Sequence, residues 1–504
     1  MRVVDVVARC LHRAGVETFF GVVGSGNYTF TVSLHALGAR FVAARHENGA
    51  VCMADAHARV GGSLGCVSVH QGPGLTNAMT GLTEAAKART PLVLVAADTP
   101  AGEVRSNFYV DQDRLAEAVG AVSVRVNRPR SAYADTMRAI RTAVGQRRAV
   151  LLNVPLDVAN AEAEWPQDAF ASALPAAPAP SPDAVATSAM GHGIFNGHPF
   201  SLGISGGFAS PLAAEIIGAS DLILAFGARL TRWTTGNGAL VAADATVVQV
   251  DLDESGFGDR ADLTVIGDAR LTATTLLLEL SERGHQGNGR LTEDLRAEIA
   301  ARRWRDEPFE DASSDRFIDP RALSIALDDL LPADRTVVVD SGHFMGFPAM
   351  YLAVPDPEGF VFTQSFQSIG LGLANAIGAA LARPDRLTVA ALGDGGAMMG
   401  LPEIETAARL RLPILFVVYD DAAYGAEVHH FRPMGHPVET VQFPDADFAA
   451  IARGAGAEGV VVRTLADLDP VRAWLDRRDR PLLVDAKVDP DVVAEWLEEA
   501  FRAA

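Results

Sequence analysis

Short apolar runs rich in Val, Leu and Phe alternate with Ala-rich helical stretches along most of this chain of 504 residues. The alternation is typical of parallel sheets with helices on both faces, because a strand buried on both sides is apolar throughout. In the first third of the chain, the predicted strands are 18–23, 40–44, 65–70, 91–98 and 149–155. In the last third they are 336–342, 387–396, 413–421 and 481–488. The pattern therefore predicts an α/β protein.

Interruptions of this alternation predict the domain boundaries. An Ala/Pro-rich stretch, ASALPAAPAPSPDA at 171–184, is typical of an extended linker. The middle region that follows has strands predicted at 221–230 and 246–254 and is small for an α/β domain. The predicted order is a first α/β domain at 1–170, a linker at 171–185, a shortened central α/β domain at 186–282, a linker and helix at 283–317, and a last α/β domain at 318–504.

The first and last domains contain similar segments. GLTEAAKARTPLVLVAAD at 81–98 and GLPEIETAARLRLPILFVVYD at 400–420 both read Gly-Leu-x-Glu, an Ala-rich helix, an Arg, and a Pro that opens an apolar strand ending in Asp. Such internal similarity predicts two homologous parallel-sheet α/β domains flanking the smaller central one.

Charge and cysteine content exclude several classes of protein. The formal net charge of −20 leaves no basic surface for a nucleic acid partner. The three cysteines have no Cys-x-x-Cys spacing and no even disulfide framework, which favours a reducing cytoplasm. The N-terminus has no signal-peptide pattern, and the chain has no long apolar run, so we expect no membrane partner either.

The segment 391–425 contains the most informative motif. A predicted strand ends at Gly393-Asp394-Gly395-Gly396, a helix follows, and a second predicted strand ends at Asp420-Asp421. Because both strands of a right-handed βαβ unit end at the same edge of the sheet, Asp394 and Asp421 should converge there. Glycines at that edge allow backbone N–H groups to approach phosphate oxygens, and carboxylates beside phosphate suit Mg²⁺.

This motif resembles that of the thiamine diphosphate enzymes, in the group that includes acetohydroxyacid (acetolactate) synthase, pyruvate oxidase and benzoylformate decarboxylase. The resemblance extends over nearly the whole chain. It implies that Asp394, the side chain of Asp421 and the carbonyl of Ala423 hold Mg²⁺, and that the glycines and Tyr424 lie at the coenzyme. The family has Asn-Asn where this chain has Asp420-Asp421, so either tighter metal binding or looser coenzyme binding is expected.

The sequence Arg45-His46-Glu47 is the second point of resemblance. A metalloprotease His-Glu-x-x-His motif is excluded by Ala50. By itself, Glu47 could simply stabilise a helix N-terminus. The resemblance implies instead that it contacts N1′ of the coenzyme's aminopyrimidine and promotes removal of the thiazolium C2 proton. It also implies that Ile369 supports the folded coenzyme, although without the resemblance an Ile is much more often ordinary core.

Since these contacts lie on different domains, the resemblance implies that one subunit supplies Glu47 and its partner supplies Asp394. We therefore expect a homodimer or a dimer of dimers with active sites at the subunit interface. Near the substrate, 20–27 and 69–77 match loops of benzoylformate decarboxylase that carry an active-site Ser and His. This match indicates Ser25, His70 and Gln71 as catalytic residues. The decarboxylase's second active-site His is replaced by Trp233, so the match is incomplete.

The leading functional prediction is a thiamine diphosphate- and Mg²⁺-dependent carboligase of acetolactate synthase type that acts on small 2-oxo acids. Because the central domain lacks one strand-helix unit usual in that family, FAD is not expected. A non-oxidative 2-oxo acid decarboxylase is the near alternative, and a catalytically silent binding or regulatory subunit is an alternative of another class. A nicotinamide dehydrogenase is disfavoured because GSGNYT, at 24–29, lacks the third glycine of G-x-G-x-x-G.

Overall fold

A computed structural model describes residues 1–165, 185–285, 291–494 and 496–497 of the chain. The first domain contains a six-stranded parallel sheet, in the order β2-β1-β3-β4-β6-β5, with helices on both faces. Its strands are β1 Thr18–Gly21, β2 Arg40–Ala43, β3 Gly65–Val69, β4 Leu92–Asp98, β5 Val122–Arg125 and β6 Ala149–Pro155. Its helices are α1 Val3–Arg13, α2 Tyr28–Ala36, α3 Glu47–Gly61, α4 Pro73–Lys87, α5 Gln112–Ala118, α6 Ala132–Gly145 and α7 Leu156–Ala159.

The central region is smaller. Its described residues form a two-stranded sheet, β7-β8, and a three-stranded parallel sheet, β11-β10-β9. The strands are β7 Val185–Thr187, β8 Ser201–Ile204, β9 Leu222–Phe226, β10 Thr246–Asp251 and β11 Leu263–Ile266. The helices are α8 Pro211–Gly218, α9 Ala269–Glu282 and α10 Glu293–Ala301.

The last domain contains a second six-stranded parallel sheet, in the order β13-β12-β14-β15-β17-β16. Its strands are β12 Arg335–Val339, β13 Phe360–Phe362, β14 Leu387–Gly393, β15 Ile414–Asp420, β16 Glu458–Val462 and β17 Leu482–Lys487. Its helices are α11 Pro320–Leu330, α12 Gly346–Tyr351, α13 Gly372–Ala382, α14 Asp394–Gly400, α15 Pro402–Arg409, α16 Gly425–Phe431, α17 Phe448–Gly454 and α18 Asp469–Arg477.

The two large sheets have the same strand order when each is numbered from its own first strand. The predicted fold class, with two similar parallel-sheet domains and a smaller central one, is therefore confirmed. The predicted domain boundaries stay predictions. Residues 171–184 of the predicted linker lie outside the described residues, as do 286–290. No helix in the described parts of the chain is long and apolar enough to cross a bilayer.

The two large domains pack against each other through α3 and α13. Buried side chains of both helices, including Met53 and Ile377, belong to one hydrophobic cluster that extends into both sheets. The helices cross most closely at Gly378, where an added Cβ would overlap the backbone carbonyl oxygen of Met53. Only glycine allows this approach, because the obstructing atom is backbone and cannot rotate away. The crossing fixes how the two sheets face each other.

Replacing Gly378 with Ala should lower the free energy of unfolding by about 1–3 kcal/mol, because the new methyl group would overpack the helix crossing. Thermal and denaturant unfolding measure this change. Gly145→Ala is the matched control, since Gly145 ends α6 and an added Cβ there meets no atom within 4 Å. A Gly378→Ala protein as stable as the control would show that the two domains do not approach as described.

Candidate active site at the strand ends of the last domain

Asp394 and Asp421 lie side by side at one edge of the last domain's sheet. β14 and β15 are neighbouring parallel strands, with Gly393 paired to Tyr419 at their ends. Asp394 begins α14 directly after β14, and Asp421 follows β15. The two carboxyl groups are close enough to share a hydrogen bond. Burial raises the pKa of each well above the usual range of a carboxyl group, and the neighbouring negative charges raise it further.

Asp420, the first acid of the Asp-Asp pair, points away from this edge and into the core. Its Oδ2 accepts a hydrogen bond of 2.5 Å from Nζ of Lys487, which also contacts Asp445 at 2.5 Å and lies 3.1 Å from Asp485. Burial alone would lower the pKa of Lys487, but these acidic partners raise it above its ordinary value. The charge of Asp420 is therefore balanced within the domain, while the side chain of Asp421 is directed to Asp394.

Glycines near these carboxylates allow side chains to pack directly against the backbone. A Cβ added at Gly395 would lie 2.5 Å from the ring of Tyr424, and one at Gly425 would overlap the carboxylate of Asp421. Tyr424 packs edge-on against Phe443, with ring centroids 4.9 Å apart. The structure therefore places Tyr424 beside the glycine turn, which we define as residues 393–396, the end of β14 and the first turn of α14.

Asp340, which sequence reasoning missed, holds the segment that carries Ile369. It is fully buried at the end of β12, and its carboxylate accepts hydrogen bonds from the backbone N–H groups of Gly370 (2.9 Å) and Leu371 (3.2 Å). Burial raises the pKa of Asp340 to about 6, against the lowering effect of these donors. A Cβ added at Gly396 would lie 2.5 Å from the same carboxylate. The available signal was an Asp ending the apolar run 336–340.

Glu47 is the first residue of α3, as the sequence predicts for a helix N-terminus. Its Oε2 accepts a hydrogen bond of 3.0 Å from Nδ2 of Asn77, a partner that sequence reasoning missed. Among the described residues, the hydrogen bonds of Glu47 do not reach Asp394 or Asp421. The structure thus brings the two aspartates together and leaves Glu47 of the same chain apart from them.

Ser25, His70 and Gln71 meet at the strand ends of the first domain. Nδ1 of His70 donates to the carbonyl of Gln71 at 2.8 Å, which leaves Nε2 to accept from Oγ of Ser25 at 3.3 Å. The ring of His70 packs edge-on against Phe108. The amide oxygen of Gln71 is buried without a hydrogen-bond partner in the described structure, and Gly26 leaves room for it. The three predicted residues therefore form one polar group, while their catalytic roles stay predictions.

Comparison with known protein families found matches in all three regions of the chain. The N-terminal TPP binding domain of thiamine pyrophosphate enzymes matches residues 1–118, the central domain matches 183–276, and the C-terminal TPP binding domain matches 340–486. The chain belongs to the thiamine pyrophosphate enzyme family. The predicted family is thereby confirmed, and with it the assignment of the chain as an enzyme with domains that bind thiamine diphosphate, also named thiamine pyrophosphate.

Relatives of this thiamine diphosphate enzyme carry several activities. Sulfoacetaldehyde acetyltransferase from Alcaligenes xylosoxydans xylosoxydans is 27% identical, with 90% of this chain and 87% of that protein aligned. The large subunit of acetolactate synthase isozyme 3 from Escherichia coli is also 27% identical, with 96% and 94% aligned. The thiamine diphosphate-dependent 4-hydroxybenzoylformate decarboxylase of Rhodococcus jostii RHA1 has the same fold, with a TM-score of 0.79 over 97% of this chain and all of that chain, at 21% identity.

Replacing Lys487 with Met should destabilise this thiamine diphosphate enzyme by about 3–5 kcal/mol, because Asp420 and Asp485 would stay buried without their cation. Chemical denaturation measures the change. Asp445→Asn is the control, since the Asp445 side chain is 60% exposed and its ion pair should contribute at most about 1 kcal/mol. If both variants lose the same small amount of stability, Lys487 does not balance the charge of Asp420.

Proposed function

We propose that the protein is a thiamine diphosphate- and Mg²⁺-dependent carboligase of acetolactate synthase type. It would decarboxylate a small 2-oxo acid and transfer the acyl carbanion equivalent to a carbonyl acceptor. The observation that carries the proposal is the pairing of buried Asp394 with Asp421 at two adjacent strand ends. The names of the two relatives that align over most of the chain, an acetyltransferase and an acetolactate synthase, support group transfer as the reaction.

The residues at this edge fit a diphosphate held through Mg²⁺. Within the described residues, no cluster of three or more His, Cys, Asp or Glu side chains is placed to hold a metal. Two carboxylates and a backbone carbonyl nevertheless suit Mg²⁺, which completes its shell with phosphate oxygens and water. Asp394, Asp421 and the carbonyl of Ala423 would hold the ion, and the glycine turn would accept the diphosphate.

Bound thiamine diphosphate supplies an electron sink for the carbanion formed when carbon dioxide leaves. The protein's part is to hold and orient it. Ile369, on the segment fixed by Asp340, would support its folded form, and Glu47 would hydrogen-bond its aminopyrimidine. His70, with an acceptor Nε2 beside Ser25, is suited to move a proton near the substrate.

We propose a homodimer or dimer of dimers in which Asp394 faces Glu47 of the partner subunit. Two observations support this assembly. Glu47 has no hydrogen bond to the aspartates of its own chain among the described residues, and Met398 and Met399, just after Asp394 in α14, are 46% and 56% exposed. Exposed apolar side chains beside a site favour a covering surface.

The three cysteines are buried and unpaired, which supports a cytoplasmic location.

FAD is not part of the proposed reaction. The support is the small central region, where the larger sheet of the described residues has three strands. Purified protein should show no flavin absorbance near 450 nm and should not need added FAD for turnover. Stoichiometric flavin in the purified protein would overturn this part of the proposal.

A decarboxylase is the second candidate, and the Ser25–His70 hydrogen bond favours it. In a decarboxylase, Ser25 and His70 would supply and accept the protons needed to convert the 2-oxo acid into carbon dioxide and an aldehyde without an acceptor. Incubation with single 2-oxo acids and with 2-oxo acid plus acceptor, followed by mass spectrometry, separates the two functions. A 2-hydroxy ketone product supports the carboligase. Carbon dioxide and aldehyde alone support the decarboxylase, and absence of coenzyme binding would favour a silent subunit.

Replacing Asp421 with Asn should weaken binding of Mg²⁺ or Mn²⁺ to the coenzyme-free protein by about tenfold or more, because the amide keeps a ligand oxygen but removes one of two negative charges beside the cation. The measurement is the rise in melting temperature with metal concentration. Asp469→Asn removes a carboxylate from an exposed position at the start of α18 and should change nothing. Identical responses of the wild type and the Asp421→Asn variant would show that the negative charge of Asp421 does not contribute to metal binding.

Glu47→Gln should lower kcat by about a hundredfold or more, since an amide is a much poorer partner for proton transfer through the aminopyrimidine. Mg²⁺-dependent binding of thiamine diphosphate, measured by calorimetry, should change little because the diphosphate contacts are intact. Asn77→Ala, which removes the hydrogen bond to Glu47 but leaves the carboxylate, should cost less. Unchanged turnover in Glu47→Gln would refute the role assigned to Glu47.

A further inference from the structure

The two Gly-Leu-x-Glu segments occupy equivalent places in the two large domains. Glu84 lies on α4, which joins β3 to β4, and Glu403 lies on α15, which leads into β15 from the β14 side. These strand pairs have the same positions in the two sheets. Both glutamates are almost fully buried, with 1% and 3% of their surface exposed. A buried carboxylate needs partners, and each glutamate finds them in the opposite domain.

Glu403 holds the backbone immediately before Glu47. Its Oε1 accepts hydrogen bonds from the N–H groups of Arg45 (2.9 Å) and His46 (3.0 Å), while its Oε2 accepts from Oγ1 of Thr406 (2.7 Å). A Cβ added at Gly49 would lie 2.5 Å from the same Oε1, so the first turn of α3 packs directly on this carboxylate. The path of the chain into Glu47 is therefore set by a residue of the last domain.

Glu84 makes the reciprocal contacts. Its Oε1 accepts from the N–H of Ser365 (3.2 Å) and its Oε2 from the N–H of Phe366 (2.7 Å), and Arg59 donates to Oε1 at 3.1 Å. This segment follows β13, as Arg45 and His46 follow β2, and it leads to Ile369. Each glutamate thus accepts hydrogen bonds from the backbone just after an edge strand of the other domain. The segment bound by Glu403 leads to Glu47 and the one bound by Glu84 leads to Ile369, both of which are expected at the coenzyme.

Hydrogen bonds that a buried carboxylate accepts from two successive N–H groups fix both the position and the direction of a backbone segment. Glu405 provides a useful contrast on the same helix. It contacts Arg45 through an ion pair of 2.6 Å whose side chains are 50% and 34% exposed. Such an exposed pair restrains little, because solvent screens it and the side chains stay mobile.

We propose that Glu403 and Glu84 are reciprocal positioning residues, of which Glu403 sets the carboxyl group of Glu47 and Glu84 sets the segment of Ile369. The proposal rests on the proposed function, since it assumes that Glu47 acts on bound thiamine diphosphate. It goes beyond that function by assigning a task to the repeated Gly-Leu-x-Glu motif. Neither glutamate touches substrate or coenzyme in this account.

The test measures how fast the coenzyme's C2 hydrogen exchanges with deuterium from solvent in the full-length protein loaded with thiamine diphosphate and Mg²⁺. Glu403→Asp retains the charge but is one methylene shorter, so it should slow exchange by up to about a hundredfold through misplacement of Glu47. Glu403→Gln retains the length and an acceptor oxygen for both N–H groups, so it should stay close to the wild-type rate. Glu405→Ala should do the same.

Coenzyme affinity, measured in parallel by calorimetry, should stay near the wild-type value in all of these variants. An Asp variant that exchanges as fast as wild type would overturn the proposal. So would a Gln variant as slow as the Asp variant, because charge rather than position would then be what matters. A loss of coenzyme affinity matching the loss of exchange would also overturn it, because Glu403 would then support the fold of the site in general.

Glu47→Gln is the reference that separates the proposal from the function on which it rests. If Glu47→Gln slows exchange and Glu403→Asp does not, the positioning role is wrong and the proposed function stands. If Glu47→Gln leaves exchange unchanged, or the wild type binds no coenzyme, the proposed function fails and the positioning role fails with it.

Discussion

The candidate site depends on the parallel pairing of β14 with β15. Their register places Gly393 opposite Tyr419, so the chain leaves both strands at the same level and presents Asp394 and Asp421 to each other. Antiparallel pairing, or a shift of a few residues, would separate the two carboxyl groups. The left-handed backbone at Ala422 then turns the chain after β15, and Gly395 at the start of α14 allows the ring of Tyr424 to approach its backbone.

Several aspartates lie close together at the strand ends of the last domain. They differ in the groups that offset their negative charges. Asp420 is neutralised by buried Lys487, and Asp340 is satisfied by backbone N–H groups. Asp394 and Asp421 have no cation beside them among the described residues, and burial together with the neighbouring acidic charges raises the pKa of each. A divalent cation between them would resolve this repulsion. The Asp-Asp sequence is compatible with a metal site: Asp420 is paired with Lys487, although its negative charge still contributes to the raised pKa of Asp394 and of Asp421.

The sequence was sufficient for features that follow from local patterns and general topology. The apolar runs predicted the central strands of both sheets, and the right-handed βαβ rule predicted that Asp394 and Asp421 converge. The edge strand β2 was predicted, at 40–44, but the other three edge strands were missed: β5 and β16 are only half-buried and include polar residues, and β13 has three residues. Partners such as Lys487 for Asp420 and Glu403 for the segment before Glu47 were also missed, because they depend on packing between segments far apart in the chain.

The most direct test of the central claim is anomalous scattering from crystals of the protein grown with Mn²⁺ and thiamine diphosphate. The account predicts one anomalous peak between Asp394 and Asp421, within bonding distance of the coenzyme's diphosphate, and an aminopyrimidine ring against Glu47 of the partner subunit. A metal peak elsewhere, or a diphosphate bound away from the glycine turn, would contradict it.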